Sequence, residues 1–204
     1  GYLMLEHIII GGGFAFAAAA QPGPLQAFLL SRVVADGWKR TLPAAFAPLI
    51  SDGPIAVLIL TLLHNVTPGF ESVLKGIGGV VFLYFAVKTF FEYRRMKFGT
   101  PSTNHPSPRT LSQAVIVNLF NPGPYLGWSL ILGPLALEAW AESPAYTVAL
   151  VVSFYSVMLF SLALFIVLVG TTSFLGSRGR QGLLLASSFA LGGIAIYSLW
   201  SSLT

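Results

Sequence analysis

Two short proline-glycine-proline cassettes stand one hundred positions apart in this chain of 204 residues. The first cassette is Gln21-Pro22-Gly23-Pro24, and the second cassette is Asn121-Pro122-Gly123-Pro124. Proline inside a helix removes a backbone donor and clashes with the preceding turn, while glycine adds backbone freedom. Both cassettes are therefore predicted to interrupt helices and to leave peptide carbonyls and amides without intrahelical partners.

The surroundings of the cassettes are apolar enough to predict a membrane protein. Hydrophobic residues make up 55% of the chain and charged residues only 9%, a balance unsuited to a free soluble domain. Crossing a bilayer takes roughly 20 mostly apolar residues. Six such segments are predicted, at about 8–31, 41–63, 73–91, 112–137, 145–169 and 182–203. Lipid cannot satisfy the peptide groups that the cassettes free, so protein or a ligand must do so.

The positive charges are sorted by loop, which predicts the orientation of the chain. The net charge of +4 could indicate a nucleic-acid partner, but the basic residues do not cluster on one soluble surface. Ten of them fall on one side of the predicted segments: Arg32, Lys39, Arg40, Lys88, Arg94, Arg95, Lys97, Arg109, Arg178 and Arg180. The positive-inside rule makes that side cytoplasmic. We expect a multi-pass protein of the prokaryotic inner (plasma) membrane, with both termini outside the cytoplasm and no nucleic-acid partner.

A polar stretch rich in proline, serine and threonine, residues 98–110, divides the chain near its middle. We interpret it as a cytoplasmic linker between a first repeat, residues 1–97, and a second repeat, residues 111–204. Each repeat carries three segments, and an odd number inverts the second repeat relative to the first. The predicted fold is an all-α integral membrane protein with six transmembrane helices in two inverted three-helix repeats. The first and fourth of these helices are broken at their Pro-Gly-Pro sequences.

The broken helices predict a binding site for a small solute that carries both charges. Half-helix N-termini favour a carboxylate, and freed carbonyls favour an ammonium group or a cation. An amino acid carries both groups, so it is the predicted substrate. The amides of Gln21 and Asn121 offer donors and acceptors for ligand or cap contacts. The predicted substrate-binding residues are those of the two cassettes: Gln21, Pro22, Gly23, Pro24, Asn121, Pro122, Gly123 and Pro124.

Asp52 is a carboxylate about halfway along the second predicted segment, where an isolated charge is costly. Three interpretations remain open: Asp52 couples protons or another ion to transport, binds the substrate amine, or makes a structural bond to a broken helix. A carboxyl group reached alternately by substrate and water can exchange a proton for the substrate. Further candidates for the cavity wall are Ser51, Tyr125, Ser153, Tyr155 and Ser156.

Other classes of function find little support in the sequence. The chain has no cysteine, which excludes disulfides and thiolate metal sites, and we predict neither a cofactor nor a bound metal. Catalysis inside the membrane needs two acids or a deep histidine, and neither is found in the predicted segments, so we do not expect an enzyme. A divalent metal-cation exporter is the alternative, with oxygen ligands from Asp52, Asn121, Gln21 and freed carbonyls.

Several motifs resemble those of the LysE/RhtB family of amino-acid exporters, and the likeness covers nearly all of both repeats. The motifs are Pro22-Gly23-Pro24, the acid Asp52, Leu74-Lys75-Gly76, Tyr84 before a basic helix end, and Asn118-Leu119-Phe120-Asn121-Pro122. The resemblance implies secondary-active export of an amino acid by proton-coupled alternating access. Many family members continue the Asn-Pro element with lysine and a small residue, whereas this chain has Gly123 and Pro124. Glycine-rich faces in the third and sixth segments allow close helix contacts, within one chain or in a homodimer.

Overall fold

The computed structural model describes residues 2–59, 61, 68–98, 109–171 and 176–203, and this part of the chain is almost entirely helical. The helices are α1 Tyr2–Ala20, α2 Pro24–Asp36, α3 Trp38–Thr41, α4 Ala47–Leu58, α5 Pro68–Phe98, α6 Thr110–Leu119, α7 Pro122–Gly127, α8 Gly133–Glu142, α9 Pro144–Thr171 and α10 Gly176–Leu203. A 3-10 turn, Leu42–Phe46, joins α3 to α4, and a π-helical turn, Trp128–Leu132, joins α7 to α8. No strand occurs among the described residues, in agreement with the predicted all-α class.

Both cassettes interrupt their helices as predicted. Helix α1 ends at Ala20 and α2 begins at Pro24, and the two axes differ by 61°. Helix α6 ends at Leu119 and α7 begins at Pro122. Proline is well suited to the first position of a helix, where its missing N–H would have no partner. Each cassette therefore ends one helix and starts the next within a few residues.

Length and apolar composition support four to five membrane spans in the described chain, against the six predicted. Four stretches are long and apolar enough: Trp38–Leu58, Ser72–Lys97, Pro144–Thr171 and Gly176–Leu203. The bent pair α1 and α2 is a fifth if it counts as one span. The predicted fourth segment, 112–137, is broken at the second cassette, after which the chain is continuously helical from Pro122 to Glu142 with a π-helical turn at Trp128–Leu132. Helix α6 has ten residues, too few to cross a bilayer alone, and the stretch from Pro122 to Glu142 is not among those that are both long and apolar enough.

The predicted linker, 98–110, lies largely outside the described residues, which resume at Arg109. Helix α5 runs to Phe98, seven residues beyond its predicted end at 91. Its last turns carry Arg94, Arg95 and Lys97, and a charged helix end can continue in the polar headgroup region, where its side chains are solvated.

Helices from the two predicted repeats pack against each other throughout the structure. Helix α1 packs on α9, α4 on α6, and α5 on α10. The contact between α5 and the residue just before the second cassette needs a glycine, because a β-carbon at Gly78 would meet the carbonyl oxygen of Phe120 at 2.5 Å. Near the first cassette, the rings of Phe28 on α2 and Phe85 on α5 meet edge to face, with centroids 4.9 Å apart. This packing brings the two breaks together around one cavity.

Candidate functional site

A cavity of about 600 Å³ lies between the two cassettes, within the range of roughly 300–1,000 Å³ that is typical of small-molecule sites. Its wall contains residues of both cassettes, of α1, α4 and α6, and of the helices that follow the breaks. The lining residues are Phe14, Ala17, Ala18, Gln21, Pro22, Gly23, Pro24, Leu25, Gln26, Pro48, Asp52, Asn118, Asn121, Gly123, Pro124, Gly127, Trp128, Leu132, Phe154 and Met158. One hollow therefore contacts both broken helices and the carboxylate of the second predicted segment.

At the first break, a side chain from α2 reaches back to α1. Pro22 and Pro24 have no N–H, so they cannot bond to the carbonyls of Ala18 and Ala20 as helical residues would. The Nε2 group of Gln26 donates instead to the carbonyl oxygens of Ala18, at 3.4 Å, and Ala19, at 3.1 Å. The carboxamide of Gln26 thus satisfies backbone carbonyls at the end of α1.

The N-terminus of α2 presents backbone donors at the cavity. Gly23, its cap residue, has an extended backbone and contributes no side-chain cap. The first amides of a helix have no intrahelical acceptor, and Pro24 contributes none, so the donors here are the N–H groups of Leu25 and Gln26. Both residues line the cavity. An N-terminus of this kind attracts a negatively charged group.

The second break is satisfied by its own residues. Asn121 caps α7, since its Oδ1 accepts from the Gly123 N–H at 3.1 Å. The N–H of Asn121 donates to the Asn118 carbonyl at 3.2 Å. The hydroxyl of Tyr125 donates to the carbonyl oxygen of Leu119 at 2.9 Å. The two cassettes match in sequence but differ in chemistry, because α7 has a side-chain cap and α2 has none.

Asp52 is held by hydrogen bonds that join α4 to α6. Its side chain is 4% exposed, and its Oδ1 accepts from the Nδ2 group of Asn118 at 3.1 Å. The same Nδ2 group donates to the Ser51 hydroxyl oxygen at 2.7 Å, and that hydroxyl lies 2.9 Å from the Ala47 carbonyl, to which it donates. A buried carboxylate with these donors is fixed in place while remaining on the cavity wall.

Aromatic and apolar side chains form the remainder of the wall. The rings of Phe14 and Phe154 stack with centroids 5.9 Å apart, and Leu132 and Met158 extend the apolar surface. Trp128 is 6% exposed, and its side chain lies beside Asp52 and Tyr155. Its Nε1 makes no hydrogen bond of standard geometry among the described residues, so a small shift of Asp52 or Tyr155 can supply its acceptor.

The structure brings most of the predicted site residues together. Seven of the eight predicted cassette residues line the cavity, and so does Asp52; Pro122 is not among the lining residues. Gln21 is an exposed residue of the cavity wall. Ser51 is not a lining residue, but its hydroxyl oxygen lies 3.4 Å from the Oδ1 of Asp52.

The three residues predicted from the fifth segment are not among those that line the cavity. Tyr155 lies close to Asp52 without lining the hollow. The hydroxyl of Ser153 instead donates to the Ile8 carbonyl at 2.6 Å, and Ser156 is exposed. The structure does not bring Ser153 or Ser156 to the cavity wall, because both lie on other faces of α9. Tyr125 is buried and caps α6 rather than lining the hollow.

Sequence reasoning missed the roles of Asn118 and Gln26. Asn118 stands three residues before Asn121, so on a helix both share one face, and that spacing could have indicated a second polar contact. Gln26 stands at the third position of α2, where a glutamine often reaches back over the helix start. Each signal is short and common, which explains why it did not stand out in an apolar chain.

The comparison with protein families found a match over residues 16–202, to the family model described as LysE type translocator. The comparison with curated proteins found no match, and neither did the comparison with solved structures.

Proposed function

Because this chain belongs to the LysE type translocator family, a family of membrane transporters rather than enzymes, we propose that it exports a small zwitterionic solute, an amino acid, by secondary-active transport. One observation carries the proposal: both broken helices and the Asp52 carboxylate contribute to the wall of a single cavity. A zwitterion needs an anion site and a cation site a few ångströms apart, and this wall offers both kinds of group.

In this proposal the backbone around the cassettes holds the head group. The uncapped amides of α2 receive the carboxylate, and carbonyls at the end of α1 receive the ammonium. Gln21 and the Nδ2 group of Asn121 orient the solute, since each can donate a hydrogen bond. The side chain of the solute faces Phe14, Leu132, Phe154 and Met158, which favours a neutral side chain over lysine or arginine.

We assign ion coupling to Asp52. Among the described residues that line the cavity, it is the one with an ionisable side chain. A proton that enters from one side of the membrane can neutralise it, and a substrate that enters from the other side can replace the proton. Alternating access to the cavity then couples the outward movement of substrate to the inward movement of protons.

Helix pairing supports six spans in two inverted repeats. A two-fold axis in the membrane plane exchanges the first segment with the fourth, the second with the fifth and the third with the sixth. It therefore maps the contact of α1 with α9 onto that of α6 with α4, and it maps the contact of α5 with α10 onto itself. All three contacts are present. In this arrangement α6, α7 and α8 together form the fourth span.

The metal-cation alternative lacks an observation in its favour. Among the described residues, there is no group of three or more His, Cys, Asp or Glu side chains that could hold a metal ion. Asp52 has an amide and a hydroxyl as neighbours, and a single carboxylate supplies few of the oxygen ligands that a hard cation needs. The transport assay below includes divalent cations for this reason.

Transport in proteoliposomes tests the proposal. We expect the wild-type protein to exchange L-leucine or L-threonine across the membrane and to accumulate it under an imposed pH gradient. L-lysine and divalent cations such as Mn²⁺ should be transported weakly or not at all. Transport of Mn²⁺ without any amino acid would contradict the amino-acid proposal.

The Asp52→Asn variant tests the coupling assignment. It should retain exchange of the amino acid but lose accumulation under the pH gradient, because an amide cannot carry the proton. Glu138→Gln is the matched control, since it makes the same acid-to-amide change at an exposed position on α8, away from the cavity. If Asp52→Asn accumulates substrate as well as this control does, Asp52 is not the coupling group.

A further inference from the structure

We propose that the carboxamide of Gln26 competes with the substrate head group for the peptide groups of the first break, so that substrate binds by displacing it. This inference rests on the amino-acid export proposed above and deepens it, because it identifies what the substrate must replace.

The donor half of the Gln26 carboxamide already occupies the cation site of the break. Its Nε2 group lies 3.1 Å from the Ala19 carbonyl oxygen and 3.4 Å from the Ala18 carbonyl oxygen. An ammonium group bound at the end of α1 would donate to these carbonyls. A carbonyl oxygen can accept two hydrogen bonds, so the competition is for the space beside this pair of oxygens, which the carboxamide and an ammonium group would each fill.

The acceptor half of the Gln26 carboxamide, its Oε1 oxygen, lies at the start of α2. A β-carbon placed on Gly23 would meet the Gln26 Oε1 at 3.2 Å, so this oxygen sits against the cap residue of the helix. The carboxylate of an amino acid would take the same place, beside the first amides of α2. A carboxamide carries its donor and acceptor on one carbon, whereas an α-amino acid carries the corresponding charged groups on adjacent carbons. The NH₂ group and the oxygen of the carboxamide can therefore stand in for the ammonium and the carboxylate of the amino acid, at a similar distance from each other.

The side chain of Gln26 is free to leave. Gln26 is half-buried and lines the cavity, and a glutamine side chain has three rotatable bonds. The second break offers no equivalent competitor, because Asn121 forms a short-range cap with Gly123 and Tyr125 covers the Leu119 carbonyl. The exchange of side chain for substrate is thus confined to the first break.

Competition predicts that removing the carboxamide tightens substrate binding. We expect Gln26→Ala and Gln26→Leu to lower the Kd for L-leucine or L-threonine about fivefold, the factor that corresponds to one net hydrogen bond of ~1 kcal/mol. The unfolding temperature of both variants without amino acid should fall slightly, since the carbonyls of α1 lose their donor. Gln26→Glu should weaken binding, because a fixed negative charge would stand where the substrate carboxylate binds.

Gln181→Ala is the matched control. The Gln181 carboxamide also donates to a backbone carbonyl, that of Met96 at 3.4 Å, but it joins α10 to α5 away from the cavity. Its removal should lower the unfolding temperature comparably and leave the Kd unchanged. Binding is measured on purified wild type and variants by scintillation proximity with the radiolabelled amino acid.

Three results would overturn the inference. A Kd unchanged in Gln26→Ala and Gln26→Leu would mean that the carboxamide only holds the break together. A Kd raised in both would mean that Gln26 binds the substrate directly. Wild-type protein that binds neither amino acid would contradict the export proposal itself, and this inference with it. Failure of the export proposal is therefore seen in the wild type, whereas failure of the competition alone is seen only in the Gln26 variants.

Discussion

At the scale of single residues, the site depends on a few polar side chains that satisfy groups freed by proline. Asn118 contributes most, because its one amide nitrogen serves both Ser51 and Asp52. It is 3% exposed, so its amide is almost fully engaged with protein groups although it lies at the cavity wall. Loss of a buried donor leaves its acceptors with the full cost of desolvation.

Replacing Asn118 with leucine should therefore destabilise the protein. Leucine keeps the branched shape but is larger than asparagine; Asp52 and Ser51 lose their shared donor, and we expect the free energy of unfolding to fall by about 2 kcal/mol. Amino-acid accumulation should fall as well, because the carboxyl group is no longer held at the cavity wall. Denaturant unfolding in detergent and transport in proteoliposomes measure the two effects.

Gln113→Leu is the control on the same helix. The Gln113 Oε1 is a buried acceptor without a partner among the described residues, so its removal should be neutral or stabilising. Equal losses of stability in the two variants would show that Asn118 acts only through general packing of α6.

At the scale of helices, a buried ion cluster fixes the half-helix α2 to α5. Arg32 on α2 is 2% exposed. Its guanidinium pairs with Asp36 at 3.3 Å, within α2, and with Glu92 on α5. Its carbon also lies 5.9 Å from the centroid of the Phe28 ring. From the sequence, Arg32 was only one of ten basic residues that set orientation; its burial appears only once α2 turns at the first break and packs on α5.

Replacing Arg32 with methionine should lower the free energy of unfolding by about 3 kcal/mol, because two partly buried carboxylates lose their paired guanidinium and keep only the half-buried Lys88 as a nearby positive charge. Arg32→Lys should rescue little of this loss, since an ammonium cannot form the two-sided contact of a guanidinium. Arg40→Met changes an exposed arginine on α3 and should stay within about 0.5 kcal/mol of wild type.

The triple variant Arg32→Met, Asp36→Asn and Glu92→Gln separates charge from packing. Replacing the three paired side chains by neutral ones is often nearly neutral, and the neighbouring Lys88, which also interacts with them, is only half-buried, so most of the stability should return. A triple variant as unstable as Arg32→Met alone would contradict the role of unpaired charge and indicate lost packing instead.

At the scale of the whole molecule, the sequence predicted the features that depend on local chemistry. The breaks at both cassettes follow from proline and glycine alone, and the membrane class follows from composition. The division of roles between the cassettes could not be predicted, because Gln26 and Tyr125 act through contacts that only the folded backbone brings about. Ser153 and Ser156 were misplaced relative to the cavity for a related reason: equal depth along α9 does not specify the face of the helix.

The proposed arrangement of six spans leads to a prediction about the sides of the membrane. The chain has no cysteine, so an introduced cysteine is the single thiol. Helix α9 has 28 residues and extends about 42 Å at ~1.5 Å per residue, which places Glu142 and Ser177 on opposite sides. We expect a membrane-impermeant maleimide to label Glu142→Cys in intact cells, and Ser177→Cys only after permeabilisation.

Lys39→Cys decides between a broken span and a re-entrant loop. Lys39 is exposed and follows the bent pair α1 and α2. If the pair crosses the membrane as one span, Lys39 lies on the side of Ser177, where the positive-inside rule places it. Its cysteine should then resist labelling until the cells are permeabilised. Labelling of Lys39→Cys in intact cells, together with Glu142→Cys, would mean that α1 and α2 form a re-entrant loop and return to the side on which they entered. The two repeats would then not be related by inversion, and the two cassettes would not belong to matching spans.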